Sequence, residues 1–210
     1  MTTLAEDLIV LAHDPAKGRP LVGSTRLACG LAGALLADLA LAGRISIDAD
    51  YVYADRYSPS RDTDLDTVAD RIAVSRRNRK VHWWVNKLQS STLRKRLLER
   101  STREGALHRA RRTVLVVFPR DDYYPRDPDR RSQLRRNLRG VLLGEVRADA
   151  RTMVLLALVG ATGAHRRLFP DLPNRERRRR IKTVVTGDTI GRAVRKAVQS
   201  SEAASAGAGG

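Results

Sequence analysis

Four histidines, one cysteine and 40 lysine or arginine side chains are the groups with which this 210-residue chain could do chemistry. His13, His82, His108 and His165 lie far apart and none has a neighbour at metal-ligand spacing, so capping or surface roles are expected rather than a zinc site. Acid–base work needs paired carboxylates in an apolar setting. Asp121 with Asp122, and Asp127 with Asp129, fall instead in the turn-rich stretch DDYYPRDPD and read as solvated turn formers. The sequence has neither a Gly-x-Ser-x-Gly elbow nor a Gly-Lys-Ser/Thr phosphate loop. Gly30 and Gly33 sit inside an apolar helical run, where close helix packing explains them better than phosphate binding. The expectation is a non-enzyme without a cofactor. The lone Cys29 excludes a disulfide within the chain, reads as a small buried hydrophobe and fits a reducing cytoplasm.

What remains is positive charge. The formal net charge is +17, and arginine dominates it, since Lys17, Lys80, Lys87, Lys95, Lys182 and Lys196 are the only lysines. The cations cluster as Arg76, Arg77, Arg79, Lys80; Arg94, Lys95, Arg96; Arg109, Arg111, Arg112; Arg130, Arg131, Arg135, Arg136; and the run RERRRR at 175–180. Any one run could be a solvated face, but together they favour an anionic partner: nucleic acid, lipid headgroups or another acidic surface. Near an anionic leaflet each basic side chain contributes about 1 kcal/mol, so a face with roughly five or six would bind.

The elements that must carry these charges are mainly helical. Residues 27–42 hold a single charge, Asp38, so this helix is apolar on all sides and must be enclosed by others. Gly43 stops it, and Ile45 and Ile47 then alternate with Ser46 and Asp48 as the first of two short strands, 44–48 and 51–54. Helices are expected at 4–12, 65–74, within 81–104 as one or two pieces, and at 130–144, 153–160, 175–185 and 189–198. Of the adjacent Trp83 and Trp84, about 100° apart on a helix, one should be core and the other semi-exposed. Residues 106–109 and 113–118 read as a hairpin with its tip at Ala110, Arg111 and Arg112. An arm as apolar as TVLVVF must be covered by the domain or by another chain. The N-terminus is acidic and lacks the basic region of an export signal, and the apolar runs are shorter than the roughly 20 residues of a membrane span. The tail from 199 to 210 is low in complexity and is expected to be disordered.

Three stretches carry a family resemblance: LAEDLIVLAHD, then GLAGALLADLALAGRISI, then TLRKRLLERSTREGALHRARRTVLVVF. With QLRRNLRGVL and ARTMVLLALVGA continuing the order, most of the chain resembles the Golgi phosphoprotein 3 family in a bacterial form. That resemblance implies one mainly α domain, residues 1–198, compact and helical, with a short N-terminal strand pair and a protruding β-hairpin. It also implies homo-oligomerisation through the hairpin, here Arg109, Arg111, Val114, Val116 and Phe118, and binding of phosphatidylinositol 4-phosphate at membranes. The family's lipid pocket uses a tryptophan and an arginine where this chain has Gly23 and Ala32, and two further arginines of which Arg94 matches one while Ser91 occupies the other position. Lys87, Arg26 and Arg96 supply positive charge near Arg94 in sequence or at the start of the hub helix. The expected function is a cytoplasmic adaptor, peripheral at the inner face of the membrane, that binds anionic phospholipid headgroups and self-associates. A nucleic-acid-binding protein is the alternative, because a helix followed by a hairpin resembles a winged helix and +17 suits phosphate backbones.

Overall fold

A computed structural model describes residues 2–55, 60, 62–114 and 118–207, with only the backbone path described for 114, 118, 119 and 204–207. Helix α1 (Leu4–Ala12) starts at Thr3, whose hydroxyl accepts the Glu6 amide hydrogen at 3.1 Å. Helix α2 (Ser24–Leu41) is the apolar run, and every residue from 27 to 39 is buried. A three-stranded antiparallel sheet follows: β1 (Ile45–Asp48), β2 (Tyr51–Ala54) and, after α3 (Thr63–Ala73), β3 (Arg79–Lys80), in the order β1-β2-β3. Then come α4 (Val81–Leu88), α5 (Ser91–Arg103), the hairpin strands β4 (Leu107–Val114) and β5 (Phe118–Pro125), and the helices α6 (Pro128–Leu143), α7 (Ala150–Thr162), α8 (His165–Leu168), α9 (Asn174–Gly187) and α10 (Thr189–Gly207). The protein is mainly α with small sheets, as its sequence predicts.

Helix α2 is the hub because it has no polar face to offer water. Helices α1, α3, α4, α5, α7 and α10 and strand β1 all pack on it. Close approach is written into its glycines: a Cβ on Gly30 would lie 2.5 Å from Cγ2 of Thr162 on α7, and one on Gly33 would run into Val194 of α10. At 18 residues α2 has the length and composition to cross a membrane, yet 72% of it is buried inside the domain, the condition of a core helix.

The one acidic residue of that helix ties three others together. Asp38 accepts the Leu4 amide hydrogen at 2.8 Å and pairs with Arg151 of α7 at 3.3 Å. Arg151 also reaches Asp7 at 2.8 Å, and Asp7 in turn meets Arg130 of α6 at 2.8 Å. An anion at the first amides of α1 also suits that helix's dipole. Burial pushes the Asp38 carboxyl up to about 6, against the pull of Arg151 and the Leu4 amide.

Three sequence expectations need correction. The hairpin exists, but Ala110, Arg111 and Arg112 lie in the middle of β4, and the connection falls at 115–117, outside the described residues, as does Val116. Stretch 113–118 is therefore not one strand but the end of β4 and the start of β5. Asp121 and Asp122 are strand residues rather than turn formers: Asp122 is 1% exposed and meets Arg120 at 2.9 Å and Arg112 at 3.6 Å, and Arg109 faces Asp121 at 4.0 Å. Opposite charges brought together by the register overrode the local preference for a turn. Finally, α10 continues to Gly207, through much of the tail read as disordered, because the helix holds Glu202 against Arg26 of α2.

Candidate anion-binding surface

The turn after α1 builds a platform. His13 Nδ1 donates to the Ile9 carbonyl at 2.8 Å and closes the helix. Asp14 then accepts the amide hydrogens of Ala16 and Lys17 at 2.8 and 2.9 Å, and the positive φ of Gly18 lets the chain double back, so that Leu21 bonds Ala12 and the Gly18 carbonyl receives the Tyr123 amide of β5 at 2.7 Å. The His13 ring meets the Tyr123 ring edge-on at 6.0 Å. This packing fastens the base of the hairpin to the N-terminal segment.

Two arginines from other elements crowd this platform. His13 is 1% exposed, and burial holds its imidazole below the usual range; the charges of Arg94 on α5 and Arg131 on α6 push the same way. Burial also lowers Arg131, as does the neighbouring Arg135, and Arg131 Nε is buried without a hydrogen-bond partner. Among the described residues neither Arg94 nor Arg131 has a carboxylate within ion-pair distance. Asp14 attracts Arg131 from beyond ion-pair distance, but two guanidinium groups with no carboxylate in contact, beside a buried histidine, still leave a local positive potential that an anionic oxygen would relieve.

The other expected site residues go elsewhere. Arg96, two residues on, is turned to α3, where its Nε meets Asp64 at 2.6 Å; Arg100 joins the same acids at 2.7 Å from Asp62 and 2.8 Å from Asp64. Lys87 is exposed in the last turn of α4. Arg26 pairs with Glu202 at 2.5 Å and lines a cavity among α7, α8, α9 and α10. Gly23 caps the start of α2 with open space around it, whereas Ala32 is fully buried and Ser91 is exposed at the start of α5. Of the four cations expected to form one pocket, Arg94 alone sits in the cluster at His13. Its partner Arg131 is visible in sequence only as one of several arginines in RRSQLRR; that it turns inward while Arg130 pairs with Glu6 at 2.6 Å depends on the tertiary contact of α6 with α1.

The described residues hold no group of three or more His, Cys, Asp or Glu able to bind a metal. Burial pushes the Cys29 thiol up to about 11, with the charge of Glu202 adding to the effect, so it is a packing residue. The Golgi phosphoprotein 3 (GPP34) family model matches residues 4–201, from the first turn of α1 to the last turns of α10. The chain belongs to the Golgi phosphoprotein 3 family. A comparison with curated proteins finds no match. The matched range takes in the hub helix, the described strands of the hairpin and the α5 arginines, and the family is one of non-enzymatic adaptors.

Proposed function

We propose that this Golgi phosphoprotein 3 family member is a peripheral membrane adaptor that binds anionic phospholipid headgroups through Arg94 and Arg131 and self-associates through the β4–β5 hairpin. The observation that carries the reading is the unequal treatment of cations on α5: Arg96 and Arg100 are neutralised by Asp62 and Asp64, while Arg94 has no carboxylate in contact and acts on the same His13 ring as Arg131, whose one attractive acid, Asp14, lies beyond ion-pair distance. Lys87 and Lys95, exposed on the same stretch of chain, add to that charge. At about 1 kcal/mol each, four such cations give only weak attraction, on the order of a thousandfold in the binding constant. Self-association multiplies it by avidity. The exposed side chains of Arg109, Arg111 and Arg112 on β4 supply further basic contacts along the same arm.

A general preference for acidic lipid, rather than a strict phosphoinositide code, suits a chain with Gly23, Ala32 and Ser91 at the family's other pocket positions. Liposome flotation tests it. Binding should require acidic lipid and fall as salt rises, and Arg94→Glu, which changes the local charge by two, should weaken it by about 2 kcal/mol, roughly thirtyfold. Flotation that ignores lipid charge, or an unchanged Arg94→Glu variant, refutes the reading. Nucleic-acid binding with a steep salt slope and a sequence preference would favour the alternative partner.

A further inference from the structure

A second group of cations surrounds the cavity to which Arg26 belongs. The space is about 470 Å³, within the range of small-molecule sites. Its walls carry Arg26, Arg166, Arg178, Lys182 and Arg195, and among its lining residues Glu202 is the one carboxylate. Glu202 neutralises Arg26 at 2.5 Å, but among the described residues Arg166, Arg178, Lys182 and Arg195 have no ion-pair partner. Four elements contribute these cations, so the cluster is a product of the fold and not of one basic run.

The inner wall is built for a polar guest. His165 is 6% exposed and lines the cavity, and its Nδ1 makes no hydrogen bond of ordinary geometry. Burial holds its imidazole down at about 4, helped by the Arg166 and Arg177 charges and only partly opposed by the Val159 and Gly160 carbonyls. At neutral pH the imidazole therefore adds no further positive charge to the cluster. Gly163, at φ +83°, turns the chain beneath Arg26, and a Cβ there would come within 3.2 Å of the guanidinium. A cavity lined by so many cations would reject an apolar guest and accept a compact polyanion.

We propose that this cavity binds a compact group carrying two or more phosphates, with Arg26, Arg178, Lys182 and Arg195 as its donors and Glu202 as the built-in anion that the ligand displaces. The group could reach the cavity free in solution or as part of a headgroup; the chemistry is the same. The site shares no residue with the Arg94–Arg131 cluster.

Calorimetric titration of the full chain with tripolyphosphate, run beside flotation on vesicles bearing a phosphomonoester lipid, tests the proposal. Arg178 and Lys182 are both exposed, so R178Q/K182Q should fold. It should weaken tripolyphosphate by about tenfold or more through the loss of two charge-assisted donors. Glu202→Gln should strengthen it severalfold. Arg94→Glu, which lowers the net charge by the same amount as the double variant, should leave it unchanged. Loss of vesicle binding in R178Q/K182Q, with no heat from tripolyphosphate, would support the site and assign its phosphates to a headgroup. Equal weakening by R94E and R178Q/K182Q, or no effect of R178Q/K182Q in either assay, would overturn the proposal. Because R94E alone addresses the lipid-facing cluster, failure of the adaptor reading and failure of the cavity give different patterns.

Discussion

Asp38 should make the protein's stability depend on pH in a way opposite to that of an ordinary carboxylate, and Asp38→Asn should abolish that dependence. Folding raises the Asp38 carboxyl from 3.8 to about 6, so between those values the folded protein holds a proton that the unfolded chain releases. Stability from this group is therefore gained as pH falls through 6 and is absent above it. The full shift is worth roughly 3 kcal/mol at 1.36 kcal/mol per pH unit, of which about 2 kcal/mol develops between pH 7.5 and 4.5. Asn keeps the shape and one acceptor for the Leu4 amide but does not titrate. Urea melts of wild type and D38N at the two pH values isolate the effect, since every other titrating group is common to both. The wild type should gain about 2 kcal/mol over D38N on acidification. Asp14 and Asp149, held low by the backbone amides of Lys17 and Thr152, carry the opposite sign and cancel in this comparison. A gap that stays constant, or that widens as pH rises, would mean that Arg151 and the Leu4 amide outweigh burial at Asp38.

Two further substitutions probe packing and the use of arginine inside the domain. Gly33→Ala places a Cβ against Val194 and 3.1 Å from Cδ2 of Leu158, so a thermal melt should show a loss of about 1–3 kcal/mol from overpacking between α2, α7 and α10. Arg177→Met removes the donor to the Phe169 carbonyl at 2.7 Å and the Leu172 carbonyl at 3.3 Å, leaving buried acceptors unpaired. Its cost in urea unfolding should be about 2–4 kcal/mol, and Arg177→Lys should not recover it, because an ammonium lacks the planar fork that serves two carbonyls and Asn174 together.

The parts of the fold that were legible in sequence are those fixed by one element's own pattern. An all-round apolar helix has one physical outcome, enclosure, and Leu27, Leu31, Leu35 and Leu39 are all fully buried. The Trp83–Trp84 pair divides as helical geometry requires: Trp84 is 3% exposed, while Trp83 stays half-buried with Arg79 stacked on it at 5.0 Å. Where two segments decide together, sequence alone was insufficient. The hairpin register brings Arg109 and Arg112 of β4 to Asp121 and Asp122 of β5, and no single-strand propensity contains that information. The same holds for the candidate site. Arg94 was accessible through its place in a family pattern, but its neighbour Arg131 became a candidate only when α6 was laid against α1.

The distribution of arginines then argues that the charge of this protein is not spare. In RERRRR, Arg177 is buried and serves backbone carbonyls, Arg180 bonds Glu176 at 2.9 Å and the Leu142 and Leu143 carbonyls at 3.2 Å, and Arg178 alone of these three turns to the cavity. Arg130, Arg151 and Arg100 are likewise spent on Glu6, Asp7, Asp38, Asp62 and Asp64. Charges used in this way stabilise contacts between helices and leave little field outside. Among the cations without an acid partner, Arg94 and Arg131 gather at His13, and Arg166, Arg178, Lys182 and Arg195 gather at the cavity. Gathering like charges opposes folding, so two such groups, in a chain that supplies acids elsewhere with care, are best explained by anions that arrive from outside it.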